Sequence, residues 1–291
     1  MFELPFEVFG SRFRNLLTAT ANKIDREWPY PPHATHRYSK TMLLSLVLAA
    51  TNTYDALLYL CADKPSDPSR KPEFALAITP LSRVILEALF TVVFVFEDLE
   101  QRVAWYHKAG WREIKEEVGR AKQRHGIDER WTGYIDGLER VLTNLKLELQ
   151  ITPEEEADPA KHIKRWPIPS GMKKSASLSD DRRMFLQYLE DWFYRSLSQD
   201  VHLSFRGLAR HSRYLLLQLI REHEPTEMRQ HKSDVLGTTI VLLLALMSEI
   251  ERQFALGLRT ELKFVWGVIN PVFTQGQEIY ELRYASALGT P

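Results

Sequence analysis

The chain has 291 residues, 44% hydrophobic and 26% charged, a globular balance long enough for one large helical domain or two small ones. Lys plus Arg equals Asp plus Glu at 38 each, which argues against broad capture of duplex nucleic acid but leaves room for a local basic site. A single cysteine, Cys61, excludes an internal disulfide framework and a cysteine-based zinc site, and its setting DALLYLCAD reads as apolar core.

Apolar residues recur at three- and four-residue spacing and alternating runs are scarce, so the chain is expected to be all-α. The N-terminal MFELPFEVFG lacks the positive region and apolar segment of a secretory signal. A first helix is expected over Phe6 to Trp28, broken by YPPHATHR, and a second from about Ser39 to Ala62. DKPSDPSRKPE reads as a polar loop. Thr79-Pro80 then looks like a helix start, with Thr79 as cap and Pro80 in the first turn. That third helix continues through VILEALFTVVFVF; a fourth spans Leu99 to Arg124 and a fifth Asp128 to Gln150.

Residues 152–181 hold prolines, serines and mixed charge, and read as a long loop. The next helix starts near Asp181 with Phe185, Tyr188, Leu189 and Trp192 on its apolar side, and is expected to run through His202. Pro225 separates it from an apolar helix between Ser233 and Leu258, and Pro271 breaks another near the C-terminus. The apolar run Val235 to Met247 is too short for a membrane span. The architecture expected is a multi-helix bundle with a long loop before the helix carrying the candidate site. An N-terminal segment (1–72), a core (73–223) and packed C-terminal helices (224–291) would form one domain overall. The expected location is cytoplasmic.

Two groups of residues point to chemistry. Arg83 and Glu87 are the only charged residues between Pro80 and Phe96, and their i,i+4 spacing lets them pair on one helical face. A pair set among leucines and valines gives little net stability, so it marks a polar cavity, a structural ion pair, or a brace for a group on a facing helix. The second group is the row Tyr194, Ser198, His202, Arg206 and Arg210, advancing by four, with Arg195 beside it. Seven helical steps bring Arg195 and His202 almost to one face, roughly 10 Å apart along the axis. Guanidinium, hydroxyl and imidazole together bind a phosphate and move a proton. The bland alternative is a hydrogen-bonded polar seam between helices.

The arrangement Arg195-Ser196-x5-His202 resembles the R-x4-6-H signature of the HEPN superfamily, and the polar residue after the arginine also fits. The resemblance covers about Pro80 to Leu219. Arg83-x3-Glu87 and Tyr194-x3-Ser198-x3-His202 are similar to patterns in bacterial helical families of this kind. The resemblance implies a helical bundle acting as a metal-independent endoribonuclease, in a toxin or phage-defence role, without cofactor. It implies Arg195 and His202 as the catalytic pair, completed by those of a second subunit. Ser198, Tyr194, Arg83, Glu87 and Arg206 would support them. The R-x4-6-H pattern also occurs at Arg26/His33, Arg102/His107, Arg120/His125 and Arg206/His211; a late helix, the aromatic shoulder Trp192-Phe193 and the loop upstream single out Arg195/His202.

Lys161, His162, Lys164, Arg165, Lys173 and Lys174 surround Trp166, a composition suited to a single-stranded nucleotide. The neighbouring PEEEAD favours instead a solvated loop pinned by Trp166 and Met172. No glycine-rich phosphate loop, G-x-S-x-G, H-E-x-x-H or Glu-x-x-His occurs, so metal catalysis is disfavoured. The expected partners are RNA, a second copy of the chain and a protein regulator, with no membrane and no duplex DNA. The alternative is a non-catalytic helical module that binds a protein or small ligand.

Overall fold

In a computed structural model, residues 6–30, 34–62, 77–126, 128–201 and 224–289, with Ala209 and Ser212, are described. Among them there are helices and no strands, the expected all-α class. The elements are α1 (Phe6–Arg26), α2 (Ala34–Cys61), α3 (Ile78–Val95), α4 (Leu99–His125) and α5 (Glu129–Glu148). The short helices α6 (Pro153–Ala157), α7 (Pro159–His162) and α8 (Pro169–Met172) follow. After α9 (Asp180–Leu189) come a π-turn (Glu190–Tyr194), α10 (Arg195–Val201) and α11 (Glu224–Phe254). The chain closes with α12 (Arg259–Ile269), α13 (Thr274–Ile279), a second π-turn (Tyr280–Tyr284) and α14 (Ala285–Leu288). They form two compact units, one of residues 1–30, 40–97 and 169–291, the other of 31–39 and 98–168.

Several boundaries differ from expectation for local reasons. The expected long loop holds three short helices. The Thr152 hydroxyl accepts from the Glu155 N–H while Glu155 reaches back to the Thr152 N–H, and Asp158 caps α7. This capping box satisfies two orphan donors and makes a helix of PEEEA despite its proline. Thr79 is not the cap of α3: the N-cap is Ala77, and the Thr79 hydroxyl is buried. Pro225 does not precede the long apolar helix but lies in the first turn of α11, where its missing N–H costs nothing.

In the larger unit, α3 packs along α11, with Ser82 and Thr239 hydrogen-bonded across the dry seam at 2.9 Å. Gly237 on α11 admits the Phe273 ring, two of whose carbons lie 2.0 Å from where a Cβ would stand. Gly276 on α13 likewise lets α13 approach Val241. Cys61 is buried, as its setting suggested. Among the described residues, three stretches, 38–61, 78–95 and 228–254, are long and apolar enough to cross a membrane, and 28%, 72% and 83% of their most apolar windows are buried within the fold.

The smaller unit is built on α4 and α5. Trp111, Ile151 and Ile163 form its core, with Leu142, Leu145 and Leu149 packed around them. Gln150, at a φ of 51°, ends α5 in the left-handed conformation, and the Ile151 N–H closes the turn on the Lys146 carbonyl.

Candidate functional site

The helix carrying Arg195 is fixed at its start by Glu97. This carboxylate accepts from the Ser179 N–H and hydroxyl at 2.8 and 2.7 Å and pairs with Arg182. Burial pushes the Glu97 carboxyl up, but the Ser179 hydrogen bonds and Arg182 outweigh it and hold it below its ordinary value. Ser179 is the N-cap of α9, so Glu97 anchors the first turn of the site helix.

The helix then widens at Glu190–Tyr194, where the Arg195 N–H bonds to the Glu190 carbonyl five residues back. The extra residue rotates all that follows by about 100° relative to an uninterrupted α-helix. This corrects the expected apolar face. Phe185 and Leu189 are buried as anticipated, but Trp192 is 61% exposed and Phe193 takes the inward position at 4%. Buried residues advance by four through Phe185, Leu189, Phe193 and Leu197.

The polar strip is divided by this geometry. Tyr194 turns toward α3, where Arg83 Nη2 donates to its hydroxyl at 2.7 Å and the guanidinium lies 4.8 Å over its ring. Arg83 Nε donates to Glu87 Oε1 at 2.8 Å, the predicted i,i+4 pair, with side chains 16% and 47% exposed. Glu87 therefore orients an arginine that reaches a facing helix. The Ser198 hydroxyl is buried without a hydrogen-bond partner among the described residues.

Arg195 points the other way. Its side chain is 67% exposed, and among the described residues its only ion pair is with Asp191, at 3.3 Å. Asp191 continues a connected polar row. Gln187 Nε2 donates to its second oxygen, and Lys173 donates to Gln187 Oε1 at 2.7 Å while pairing with Glu190. Lys173, Gln187, Glu190 and Asp191 were not read as supporting residues, although the Gln187–Asp191–Arg195 spacing of four carries the signal. The structure thus brings Arg83, Glu87 and Tyr194 into one cluster and sets Arg195 outside it. His202 and Arg206 lie outside the described residues. No group of three His, Cys, Asp or Glu gathers as a metal-ligand set among the described residues.

A guanidinium displayed on a helix whose opposite side is core can meet a phosphate without unfolding anything. The Arg83–Tyr194–Glu87 cluster holds that helix against α3. No protein-family model, no curated protein and no solved structure matches this chain.

Proposed function

We propose that this chain is a metal-independent, HEPN-like endoribonuclease in which Arg195 grips the scissile phosphate and His202 moves the proton. The observation that supports this is the setting of Arg195: 67% exposed and, among the described residues, tethered by one ion pair, while Phe193 and Leu197 on either side are core. Such a pair contributes little to stability, about 0–1 kcal/mol, so the guanidinium is free to serve a ligand. In this reading the RNA supplies its own nucleophile. The 2′-hydroxyl attacks the adjacent phosphorus as His202 takes its proton, and the bond to the 5′-oxygen breaks. A 2′,3′-cyclic phosphate remains, and the departing oxygen takes a proton to become a 5′-hydroxyl. Arg195 neutralises the charge gathering on the phosphoryl oxygens. Arg83, Glu87 and Tyr194 position the helix, and a second copy of the chain completes the cleft. A toxin or phage-defence role in the cytoplasm suits that chemistry.

The test is cleavage of single-stranded RNA in EDTA. Arg195→Ala and His202→Ala should each lower the rate at least about a hundredfold with unchanged circular dichroism, and DNA of the same sequence should survive. Intact RNA with the unaltered protein, or full activity in His202→Ala, ends the proposal.

A second reading is a non-catalytic helical module, favoured by one observation: the Arg83 guanidinium is already engaged by Tyr194 and Glu87, as in a structural seam. Under it, Tyr194→Phe lowers the melting temperature and no nuclease activity exists to lose.

A further inference from the structure

The expectation that PEEEAD cancels the basic residues around Trp166 rested on their closeness in sequence. The fold engages Glu155 and Glu156 with other lysines, while Asp158 caps α7 and accepts from the Lys161 N–H. Glu155 pairs with Lys108 at 2.6 Å and completes the Thr152 capping box. Glu156 pairs with Lys146 at 2.6 Å and accepts Lys115 at its backbone carbonyl. Glu116 takes up both Arg112 and Arg165, at 2.8 and 2.7 Å, and His162 lies within electrostatic reach of Glu154 and Glu155. Lys161 and Lys164 are left exposed, with no ion-pair partner among the described residues.

The backbone bearing these lysines is held firmly. Ile163 is buried in the core beside Trp111, and Arg112 Nη1 donates to its carbonyl at 2.7 Å. Trp105 Nε1 donates to the Lys164 carbonyl at 2.9 Å. Trp166 then lies edge-on against Trp105 and Tyr106, with ring centroids 5.3 and 5.0 Å apart. Trp166 is half-buried, and Tyr106 is 36% exposed. Two exposed lysines, with no ion-pair partner among the described residues, therefore lie within five residues of Trp166 on a fixed segment, where Trp166 forms an aromatic pair with Tyr106. Phosphates meet the ammonium groups while a nucleobase stacks on a ring, and prior ordering of the protein lowers the cost of binding.

We propose that Tyr106, Trp166, Lys161 and Lys164 form a binding site for single-stranded RNA on the smaller unit. The site is separate from Arg195. It rests on the ribonuclease reading only for the choice of RNA as the strand, and binding is measurable without cleavage.

The experiment is fluorescence anisotropy of a labelled 12-nucleotide single-stranded RNA with full-length Arg195→Ala protein, across a salt series. Lys161→Ala/Lys164→Ala should weaken binding about tenfold at low salt and flatten the log–log salt slope by about 1.4, two phosphate contacts on a single strand. Tyr106→Ala should weaken binding about fivefold to a hundredfold, and Tyr106→Phe, which keeps the ring, should restore it. A blunt duplex of the same length should bind at least tenfold more weakly. Unchanged affinity in the lysine pair, equal affinity for duplex, or lysine-dependent binding to anionic lipid vesicles with none to RNA would overturn the site. Retained strand binding with no cleavage by the unaltered protein would keep this site and remove the nuclease reading.

Discussion

Each π-turn ends in a tyrosine and carries an arginine, Arg195 just after the first and Arg283 inside the second. The two arginines meet opposite environments. Arg283 is 1% exposed, donates to both Glu249 oxygens at 2.7 and 3.1 Å, and also pairs with Asp181. Arg195 is 67% exposed and leans on Asp191 alone among the described residues. Around Arg283, burial opposes the charge but Glu249 and Asp181 outweigh it, so the guanidinium stays protonated in the interior. The same backbone device thus serves an internal ion cluster in one place and presents a solvent-facing cation in the other. Removing the buried arginine should disturb the fold, and removing the exposed one should disturb only what binds there.

The largest effect expected is Arg283→Ala. It strands Glu249, itself 1% exposed, and should cost about 3–5 kcal/mol in denaturant unfolding. Replacing Arg283 and Glu249 together by methionine should recover most of that loss, because the penalty comes from the charge left behind. A single variant as stable as the parent would break the comparison.

Phe193→Ala against Trp192→Ala tests the register of the first π-turn. Truncating Phe193 should cost about 3–5 kcal/mol. Truncating Trp192 should stay within about 0.5 kcal/mol, as for an exposed site. The reverse order would mean a regular helix with Trp192 inside. Gly237→Ala comes next. It drives a methyl into Phe273, near where α13 seats the second π-turn on α11, and overpacking of this kind costs about 1–3 kcal/mol.

How much of this was legible in the sequence depends on the range of the forces involved. The helices carried by apolar periodicity, α3, α4 and α5, lie within a few residues of expectation, because burying one face dictates them. The Arg83–Glu87 pair was legible from its spacing, and its reach to Tyr194 required the tertiary fold. Within 152–181, α6 follows from a capping box, Thr152-x2-Glu155, that was present in the sequence, and α7 from its Asp158 cap. Apolar rows spaced by four run through both π-turns, Phe185, Leu189, Phe193, Leu197 and again Tyr280, Tyr284, Leu288, but the regular α3 buries Ile78, Ser82, Leu86, Phe90 and Phe94 at the same spacing, so the π-turns were not legible from it. The pairing of PEEEAD with lysines of α4 and α5 was not legible, since those contacts span up to 47 residues.

Acid should separate the two turns more gently. Asp181 is pushed up by burial but held below its ordinary value by Arg283 and Arg252. A carboxyl lowered in the fold stabilises it above the unfolded pKa, about 3.9, and that stability disappears as pH falls through the lowered value. Unfolding free energy followed downward from pH 5 should therefore drop below about pH 4. Asp181→Asn should flatten that drop while lowering stability at neutral pH. An unchanged acid limb would mean that Asp181 is not coupled to folding through Arg283.

The smallest change in stability is expected at Arg195. An exposed guanidinium in a surface ion pair contributes about 0–1 kcal/mol, so Arg195→Ala should melt within a degree or two of the parent. Its value as a test lies in the contrast with Arg283→Ala: the same deletion beside the same kind of turn, with nearly all the stability loss on one side. If RNA cleavage falls a hundredfold in Arg195→Ala while the melting curve stays put, the exposed arginine works on a ligand. If instead the melting temperature drops as it does for Arg283→Ala, the ion pair with Asp191 and the Gln187–Lys173 row behind it hold the helix together, and Arg195 belongs to the scaffold.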